Sequence, residues 1–248
     1  ELGIDLSHAL RVAGGTTSTY LYLTDEQGEM ALAVSDMEIC KKITPAYLAA
    51  QLPLLQNAQV VVADTNLPEE SLQYLAENCT APLFVDPVST VKAKKLAPIL
   101  GSIHTLKPNR LEAELLSGVE IHSHADLARA ADVLMARGVH RLFVSLGADG
   151  VYAAMGDRRV MLPNLPGTMV NTTGCGDAFM AALVWAYLEG MDLEHTALAG
   201  LAAGAIAMES PETIHPAMSA AAVERRMQQG KPVHSFFSQK GNEAYEHE

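Results

Sequence analysis

The sequence predicts an α/β protein with a central, mostly parallel sheet that is covered by helices on both faces. Short apolar runs rich in β-branched and aromatic residues alternate along the chain with longer segments of helical character. Strands that alternate with helices favour parallel pairing through helical crossovers, which bury both faces of the sheet. The chain has 248 residues, of which 49% are hydrophobic, and this is enough to bury one large core.

The first elements predict a small antiparallel hairpin ahead of the main sheet. Residues 17–23 are rich in β-forming side chains, residues 25–28 read as a polar turn that ends in glycine, and residues 30–34 return as a second strand. Residues 1–12, which precede the hairpin, are short and mixed in character. We therefore expect the hairpin to occupy residues 13–36.

The middle of the chain alternates strands and helices. Thr44 is a favoured cap residue, and Pro45 suits the first turn of a helix that we expect to reach residue 56. Strands are predicted at residues 60–63, 83–85, 103–106 and 141–145. Helices are predicted at residues 68–78, 91–100, 109–117 and 124–137, the second of them interrupted by Pro98 and the last capped by Ser123.

A second hairpin and three helices complete the predicted order. The hairpin strands at residues 150–155 and 159–162 flank a turn at Gly156-Asp157. Helices are predicted at residues 174–189, 193–208 and 217–228. The polar end of the chain, residues 240–248, is expected to fray.

Charge and cysteine content exclude several classes of protein. The net charge of −12 and the pI near 5.1 argue against a nucleic-acid binder, which needs a basic surface. Three isolated cysteines, with no Cys-x-x-Cys pair, suit a reducing cytoplasm and argue against a disulfide framework or a zinc site. The longest apolar runs are far shorter than the ~20 residues that a membrane span needs. We therefore expect a cytoplasmic protein with no membrane and no nucleic-acid polymer as partner.

The stretch from Val170 to Phe179 carries the chemistry that the sequence indicates most strongly. Two glycines flank Cys175, Asp177 follows, and an apolar helical run begins. The first turn of a helix offers free backbone N–H groups and the positive end of the helix dipole, and glycine lets a phosphate approach the backbone. Asp177 would then lie beside a phosphate, where it can take a proton from an attacking hydroxyl. The alternative is a tight turn capped by Asp177, and the spacing alone does not decide between the two.

Polar side chains directly follow four of the predicted strands. They are Asp64, Asp86, Lys107 and Ser145. Ligands of parallel α/β sheets bind beyond the carboxyl ends of the strands, so these side chains are expected at a ligand-binding edge. Post-strand carboxylates also cap turns, and Lys107 is equally consistent with a solvated lysine.

The segment Val170–Phe179 resembles the C-terminal signature of the ribokinase-like (phosphofructokinase-B) family of sugar and nucleoside kinases. The resemblance implies that Asp177 is the catalytic base and that the amides of Gly174, Cys175 and Gly176 form an anion hole. Cys175 replaces the usual Ala or Ser and keeps its amide. Asn171 stands where the family usually has an Asp that helps to hold a monovalent cation, so the resemblance leaves potassium binding open.

Three further stretches resemble the same family and imply sites for ATP and Mg²⁺. The hairpin at Thr17–Val34 matches the lid strands that cover the substrate. Asn109 and Glu112 match an Asn-x-x-Glu motif, which implies a phosphate contact and a magnesium ion held through water; a helix cap at Asn109 is the alternative. Ser145, Gly147 and Gly150 match a nucleotide-binding turn, although a strand-to-hairpin turn needs the same glycines. Lys107 is assigned with them to the phosphates.

Other stretches are similar to the pseudouridine kinases within the family. These are residues 62–66, 85–89 and 104–114. They imply acceptor contacts from Asp64, Asn66 and Asp86, to which the lid would add Ser18 and Tyr20. The front of the family fold, with its sugar-binding Asp and Gly-Gly motif, is not found. The chain is therefore expected to hold the lid hairpin and, in residues 1–12 and 37–240, a catalytic domain without its N-terminal portion.

The resemblance implies an ATP- and Mg²⁺-dependent kinase that phosphorylates a primary hydroxyl. Pseudouridine is the acceptor that the resemblance favours, and its product would be the 5′-phosphate. A kinase for another nucleoside or sugar is one alternative, and a non-catalytic ligand-binding relative is another, favoured by Asn171 and opposed by the intact Gly174–Asp177 turn. The lid further implies a homodimer.

Overall fold

The computed structural model describes residues 3–24 and 30–230. The predicted turn at 25–28 and the predicted tail at 240–248 lie outside the described residues. The first hairpin pairs β1 (Thr19–Thr24) with β2 (Met30–Asp36) in antiparallel register, so that Leu21 faces Val34. This two-stranded sheet is separate from the main sheet, as predicted for the hairpin.

The main sheet has six strands in the order in which they occur along the chain. Four of them pair in parallel, and the last two form an antiparallel hairpin on the edge. The predicted, mostly parallel sheet is therefore confirmed. The strands are β3 (Val61–Asp64), β4 (Leu83–Asp86), β5 (Thr105–Leu106), β6 (Arg141–Ser145), β7 (Val151–Met155) and β8 (Arg158–Leu162).

Helices cover the two faces of the sheet and bury a separate core on each side. Along β6, Leu142 and Val144 belong to one core, whereas Phe143 points to the other, because successive side chains of a strand alternate between faces. The first face is covered by α1 (Pro45–Asn57), α2 (Glu69–Asn78), α3 (Thr90–Ala93), α4 (Arg110–Ser117) and α5 (His124–Ala136). The second is covered by α6 (Cys175–Leu188), α7 (Leu193–Met208) and α8 (Ala220–Met227).

Three predicted elements are shorter in the structure, and in each case local hydrogen bonding explains the change. The helix predicted at 91–100 ends at Ala93 and is followed only by 3-10 turns at residues 94–96 and 100–102. Pro98 lies between these two turns and has no backbone N–H to donate to a helical hydrogen bond. The Ile103 amide bonds back to Leu100 in the second turn, so β5 begins only at Thr105. Helix α8 begins at residue 220 because the Ser219 side chain caps it.

None of the described helices is both long and apolar enough to cross a membrane.

A ring cluster at the amino ends of β5 and β6 holds a histidine in its neutral form. His104 stacks between Phe84 and His140, with ring centroids 5.4 and 4.8 Å away, and Arg141 follows on β6. Burial first, and then the nearby charges of His140 and Arg141, lower the pKa of His104 to about 4. The folded state therefore binds a proton at His104 less readily than the unfolded chain, whose histidines titrate near 6.5.

We expect the free energy of unfolding to fall as the pH drops from about 6.5 to about 4, because the unfolded state then takes up the proton that folded His104 refuses. Urea unfolding at a series of pH values measures this slope. His104→Phe keeps the stacking and removes the titrating group, so it should flatten the curve in that window. An unchanged slope in the variant would contradict the assignment.

Candidate active site

The carboxyl edge of the parallel strands brings a lysine and two carboxylates together. Asp64 and Asp86 end β3 and β4 and are direct partners in the parallel register. Lys107 follows β5, is only 6% exposed, and places its Nζ 2.9 Å from Asp86 Oδ2. The other Asp86 oxygen accepts a hydrogen bond from the Val88 amide. A buried ammonium is thus held by a fixed carboxylate at the edge where the sequence predicts a ligand.

The turn before α6 needs glycine at its first position. Gly174 caps the helix with φ +89°, and a Cβ there would collide with the carbonyl oxygen of Thr213. A Cβ at Gly176 would instead lie 3.6 Å from the Lys107 Nζ, so the first turn of α6 faces the buried ammonium. The Cys175 amide bonds to the Thr172 carbonyl at 3.3 Å, whereas the following amides lie in the helical first turn, which has no intrahelical acceptors.

Asp177 lies in the same first turn and faces the two post-strand carboxylates. Asp177 is exposed to solvent at the mouth of this site. Partial desolvation by its neighbours, followed by the negative charge of Asp86, raises the pKa of Asp177; Lys107 opposes this shift, and Asp64 adds to it. A carboxylate with a raised pKa is a better proton acceptor than an ordinary one. The structure thus gives Asp177 surroundings that suit the base predicted from the sequence.

A cavity of about 580 Å³ opens on one side of the α6 turn. Six of the predicted site residues line it: Lys107, Ser145, Gly147, Gly150, Cys175 and Gly176. Gly150 has φ +95°, and a Cβ there would collide with the Leu162 carbonyl, so a side chain is excluded whether or not a nucleotide binds. The residues predicted for ATP phosphates are therefore brought to one cavity, with the exception of Asn109.

A second cavity of about 610 Å³ opens on the other side. Its polar wall consists of Asp64, Asp86 and Asp177, and the rest of its lining is apolar. The Asp86–Lys107 ion pair joins the two cavities, because Lys107 lines the first and Asp86 the second. A group that passes from one cavity to the other would pass beside Lys107 and the α6 turn.

Asn109 and Glu112 form a reciprocal cap at the start of α4. The Asn109 side chain accepts from the Glu112 amide at 2.9 Å, and the Glu112 carboxylate accepts from the Asn109 amide at 2.8 Å. Burial raises the pKa of Glu112, which is 3% exposed, although the Asn109 hydrogen bond opposes the shift. This is the capping alternative that the sequence left open, and neither residue lines the two cavities.

A magnesium ion at this site would have to be held mainly by phosphates and water. Within residues 3–24 and 30–230, no three acidic, histidine or cysteine side chains are grouped as metal ligands. Mg²⁺ commonly keeps several waters and takes only one or two carboxylates besides the phosphates of its nucleotide. Glu112 lines neither cavity and its carboxylate accepts from the Asn109 amide, so its role as such an outer carboxylate stays a prediction.

The remaining predicted residues lie outside both cavities. The Ser18 hydroxyl lies 3.6 Å from the Cys40 sulfur, and Tyr20 is 44% exposed on β1. Asn171 uses its amide within the protein: it accepts from the Thr173 amide and donates to the Pro211 carbonyl at 3.2 Å. Asn66 bonds to Asp64 behind the second cavity. The substrate and potassium roles of these residues stay predictions.

Comparison with known proteins assigns the chain to a family. The sequence model of the pfkB family carbohydrate kinases matches residues 1–220. The chain belongs to the pfkB family. It is therefore a phosphotransferase of the class that uses an alcohol group as acceptor, and the ribokinase-like resemblance noted in the sequence is confirmed.

Individual pfkB relatives match most of the chain and a part of their own length. The pseudouridine kinase of Escherichia coli is 40% identical over 226 residues, which are 90% of this chain and 72% of that protein. The uncharacterized sugar kinase YeiI of the same organism is 38% identical over 222 residues, or 88% of this chain and 61% of YeiI. The chain thus spans between three fifths and three quarters of these relatives.

Solved structures of pfkB-type kinases show the same fold. A carbohydrate kinase from Agrobacterium tumefaciens superimposes with a TM-score of 0.70 at 29% identity, covering 86% of this chain and 69% of that one. Arabidopsis thaliana ribokinase, solved with ribose and ATP, gives a TM-score of 0.70 at 21% identity, with 86% and 69% covered. The predicted ribokinase-like α/β fold is confirmed.

Sequence reasoning does not identify several residues of the candidate site. The first cavity has an apolar wall made of Leu165, Met169, Phe179, Leu201, Ala205 and Met208. Phe179 packs against Gly200, where a Cβ would lie 2.5 Å from its ring. Phe179, Leu201, Ala205 and Met208 belong to the apolar pattern of α6 and α7, but nothing in a helical pattern distinguishes a cavity wall from the core.

Cys175 differs from the reactive thiol that a helix N-terminus suggests. Its side chain is half-buried and 3.9 Å from the Asn171 carbonyl, and burial raises the pKa of its thiol. We expect Cys175 to react with iodoacetamide more slowly than a free cysteine at pH 7.5, and Cys175→Ala, which keeps the backbone amides, to retain activity. Peptide mapping of the labelled protein tests the first point. Fast labelling that MgATP suppresses would contradict it.

Proposed function

We propose that the protein transfers the γ-phosphoryl group of ATP to a primary hydroxyl of a nucleoside, and that pseudouridine is its acceptor. The observation that carries this proposal is the pair of cavities that meet at Lys107 and the first turn of α6. ATP would occupy the first cavity, with its phosphates toward the α6 turn. The acceptor would occupy the second, with its hydroxyl beside Asp177.

In the proposed reaction, Asp177 orients the acceptor hydroxyl and takes its proton as the oxygen attacks the γ-phosphorus. The bond from that phosphorus to the β–γ bridging oxygen breaks at the same time, and ADP leaves. The free amides at the start of α6 and the Lys107 ammonium receive the negative charge that builds on the phosphoryl oxygens. When bound, Mg²⁺ neutralises the phosphates of ATP. Ser145, Gly147 and Gly150 line the first cavity and would contact the nucleotide. Glu112 would hold the metal through water, and Asn109 would reach a phosphate, only if the two side chains leave their mutual cap. The Cys175 amide joins the anion hole only if it leaves the Thr172 carbonyl.

The charge of the second cavity supports a neutral acceptor. Its polar lining is three carboxylates, and the nearest ammonium, Lys107, is already paired with Asp86. A phosphorylated sugar would bring two negative charges to these carboxylates and would be repelled. Hydroxyl groups, by contrast, can donate to Asp64 and Asp86. This favours a nucleoside or free sugar over a sugar phosphate.

The choice of pseudouridine rests on similarity. The pseudouridine kinase of Escherichia coli is 40% identical to this chain, but the sugar kinase YeiI is 38% identical, so another nucleoside or sugar is the second candidate. A non-catalytic role is disfavoured by the buried Lys107 and by the raised pKa of Asp177, which have a clear use in phosphoryl transfer. Potassium binding near Asn171 is proposed as dispensable, because its amide is already occupied by protein groups.

The exposed face of the hairpin supports the proposed homodimer. Leu21 pairs with Val34 and Leu23 with Leu32 across β1 and β2, and all four side chains are 58–66% exposed. We propose that the same apolar face of a second copy of the chain packs against this face. Residues 13–36 would then act as the lid of each subunit. We place this assembly in the cytoplasm, in keeping with three cysteines that form no disulfide.

An acceptor panel tests the proposed function. The purified protein is incubated with MgATP and, separately, pseudouridine, uridine, adenosine, ribose and fructose 1-phosphate, and the products are separated by chromatography with mass detection. We expect pseudouridine 5′-phosphate as the main product and no turnover of fructose 1-phosphate. Preferential phosphorylation of a different neutral compound would show that this compound, and not pseudouridine, is the acceptor. Preferential phosphorylation of the sugar phosphate would overturn the neutral-acceptor assignment.

A further inference from the structure

Two lysines that follow β4 hold the loop that follows β3. Lys92 lies in α3, and Lys95 lies in the 3-10 turn that continues it. Both side chains are partly buried and reach back to residues 65–67, next to the carboxylate Asp64. Lys94, between them, is exposed. Neither Lys92 nor Lys95 lines either of the two cavities described above, and their contacts hold the loop itself.

Lys92 acts on Asp64 through the side chain of Asn66. The Lys92 ammonium donates to Asn66 Oδ1 at 2.5 Å, which fixes the orientation of that amide. The opposite end of the amide then donates to Asp64 Oδ2 at 2.6 Å, and the Asn66 backbone donates to Asp64 Oδ1 at 2.8 Å. Both oxygens of Asp64 are therefore held by Asn66. A reversed Asn66 amide would direct its oxygen at the carboxylate and its NH₂ at the ammonium, which is unfavourable at both ends.

Lys95 fixes the backbone of the same loop. Its ammonium donates to the carbonyl oxygens of Thr65 and Leu67, at 2.8 Å each. The fully buried Thr65 in turn donates its hydroxyl to the Pro87 carbonyl, in the turn that follows Asp86. That turn holds Val88 at φ +62°, a conformation that a β-branched residue rarely adopts. The loops that follow Asp64 and Asp86 are thus bonded into one unit.

We propose that Lys92 and Lys95 are positioning residues for the acceptor, because they fix Asp64 as a preformed hydrogen-bond acceptor in the wall of the second cavity. This inference rests on the proposed function, in which that cavity holds the acceptor hydroxyls. A carboxylate that is held before binding does not lose side-chain freedom when the acceptor arrives. The two lysines lower the KM for the acceptor and do not act on ATP, which occupies the other cavity.

Three lysine-to-methionine variants test the inference with a matched charge change. Lys92→Met and Lys95→Met each remove one ammonium and keep much of the apolar stem, and Lys94→Met does the same at an exposed position of the same segment. The KM for pseudouridine, the KM for ATP and kcat are measured for each variant. We expect the pseudouridine KM of the first two to rise about tenfold, with the ATP KM within about twofold, since a charged hydrogen bond is lost. Lys94→Met should leave all three constants unchanged.

Two further variants separate a failure of this inference from a failure of the proposed function. Asp64→Asn should itself raise the pseudouridine KM, and adding Lys92→Met to it should then change little, because Lys92 acts through Asp64. If Asp64→Asn leaves the acceptor KM unchanged, the second cavity is not the acceptor site. If Asp64→Asn raises it but Lys92→Met and Lys95→Met do not, the positioning role is wrong. Equal increases in the KM for pseudouridine and the KM for ATP would also overturn the positioning role. Lys95→Arg keeps the positive charge, so its KM for pseudouridine should stay close to that of the wild type.

Discussion

Asp177→Asn is expected to slow phosphoryl transfer by about 10²–10⁴-fold, the usual contribution of a positioned general base. Asparagine has nearly the same shape as aspartate, so the first turn of α6 and its amides should stay in place. ATP lies in the other cavity in our proposal, and its affinity should therefore change by no more than about threefold. Turnover and nucleotide binding are to be measured on the same preparation.

The raised pKa of Asp177 adds a pH signature to this result. A base works only when it is deprotonated, so kcat/KM for the acceptor should fall as the pH drops through the pKa of Asp177. Partial desolvation and the charges of Asp86 and Asp64 raise that pKa, which places the fall above the pH at which an ordinary aspartate titrates. Asp86→Asn removes one of those charges and should move the acid limb to lower pH. Activity of Asp177→Asn within a few-fold of the wild type would remove Asp177 from the role of base.

Periodicity predicted most of the fold because each strand and helix depends on its own neighbours. Residues 142–144 are continuously apolar, and the strand that contains them is buried on both faces, as such a run indicates. The hairpin at Gly156 was also found, because turn residues act locally. The predicted boundaries are wrong where a local hydrogen bond competes with the predicted element. The Ile103 amide, for example, donates to Leu100 in a 3-10 turn, so β5 is shorter than predicted.

The site was predictable where a motif stands on consecutive residues or where a polar residue directly follows a predicted strand. The turn at Gly174–Asp177 and the post-strand residues Asp64, Asp86 and Lys107 follow from spacing and from the rule for parallel sheets, and the structure brings them together. Lys92 and Lys95 gave no such signal, because their partners are backbone carbonyls and an amide about 26–30 residues away. The orientation of a long side chain depends on the tertiary fold, which a local pattern does not contain.

Lys107→Met should affect stability and activity together, because one ammonium serves both. Lys107 is 6% exposed and 2.9 Å from Asp86, and its removal leaves a largely buried carboxylate without its cation. Breaking such a pair from one side costs about 3–5 kcal/mol of folding free energy. The variant also loses the positive charge beside the α6 turn, so we expect turnover to fall by about 10²–10³-fold, as for the loss of one transition-state donor.

The double variant Lys107→Met/Asp86→Asn separates the two effects. Neutralising Asp86 removes the uncompensated buried charge, so most of the lost stability should return in a urea titration. Turnover should stay low, because the phosphoryl group still lacks its cation and the second cavity has lost a carboxylate. Lys107→Arg, which keeps the charge, is the matched control for activity. If stability and turnover recover together in the double variant, then Lys107 is a structural partner of Asp86 alone, and the transferred phosphoryl group is stabilised by the α6 amides and the metal without it.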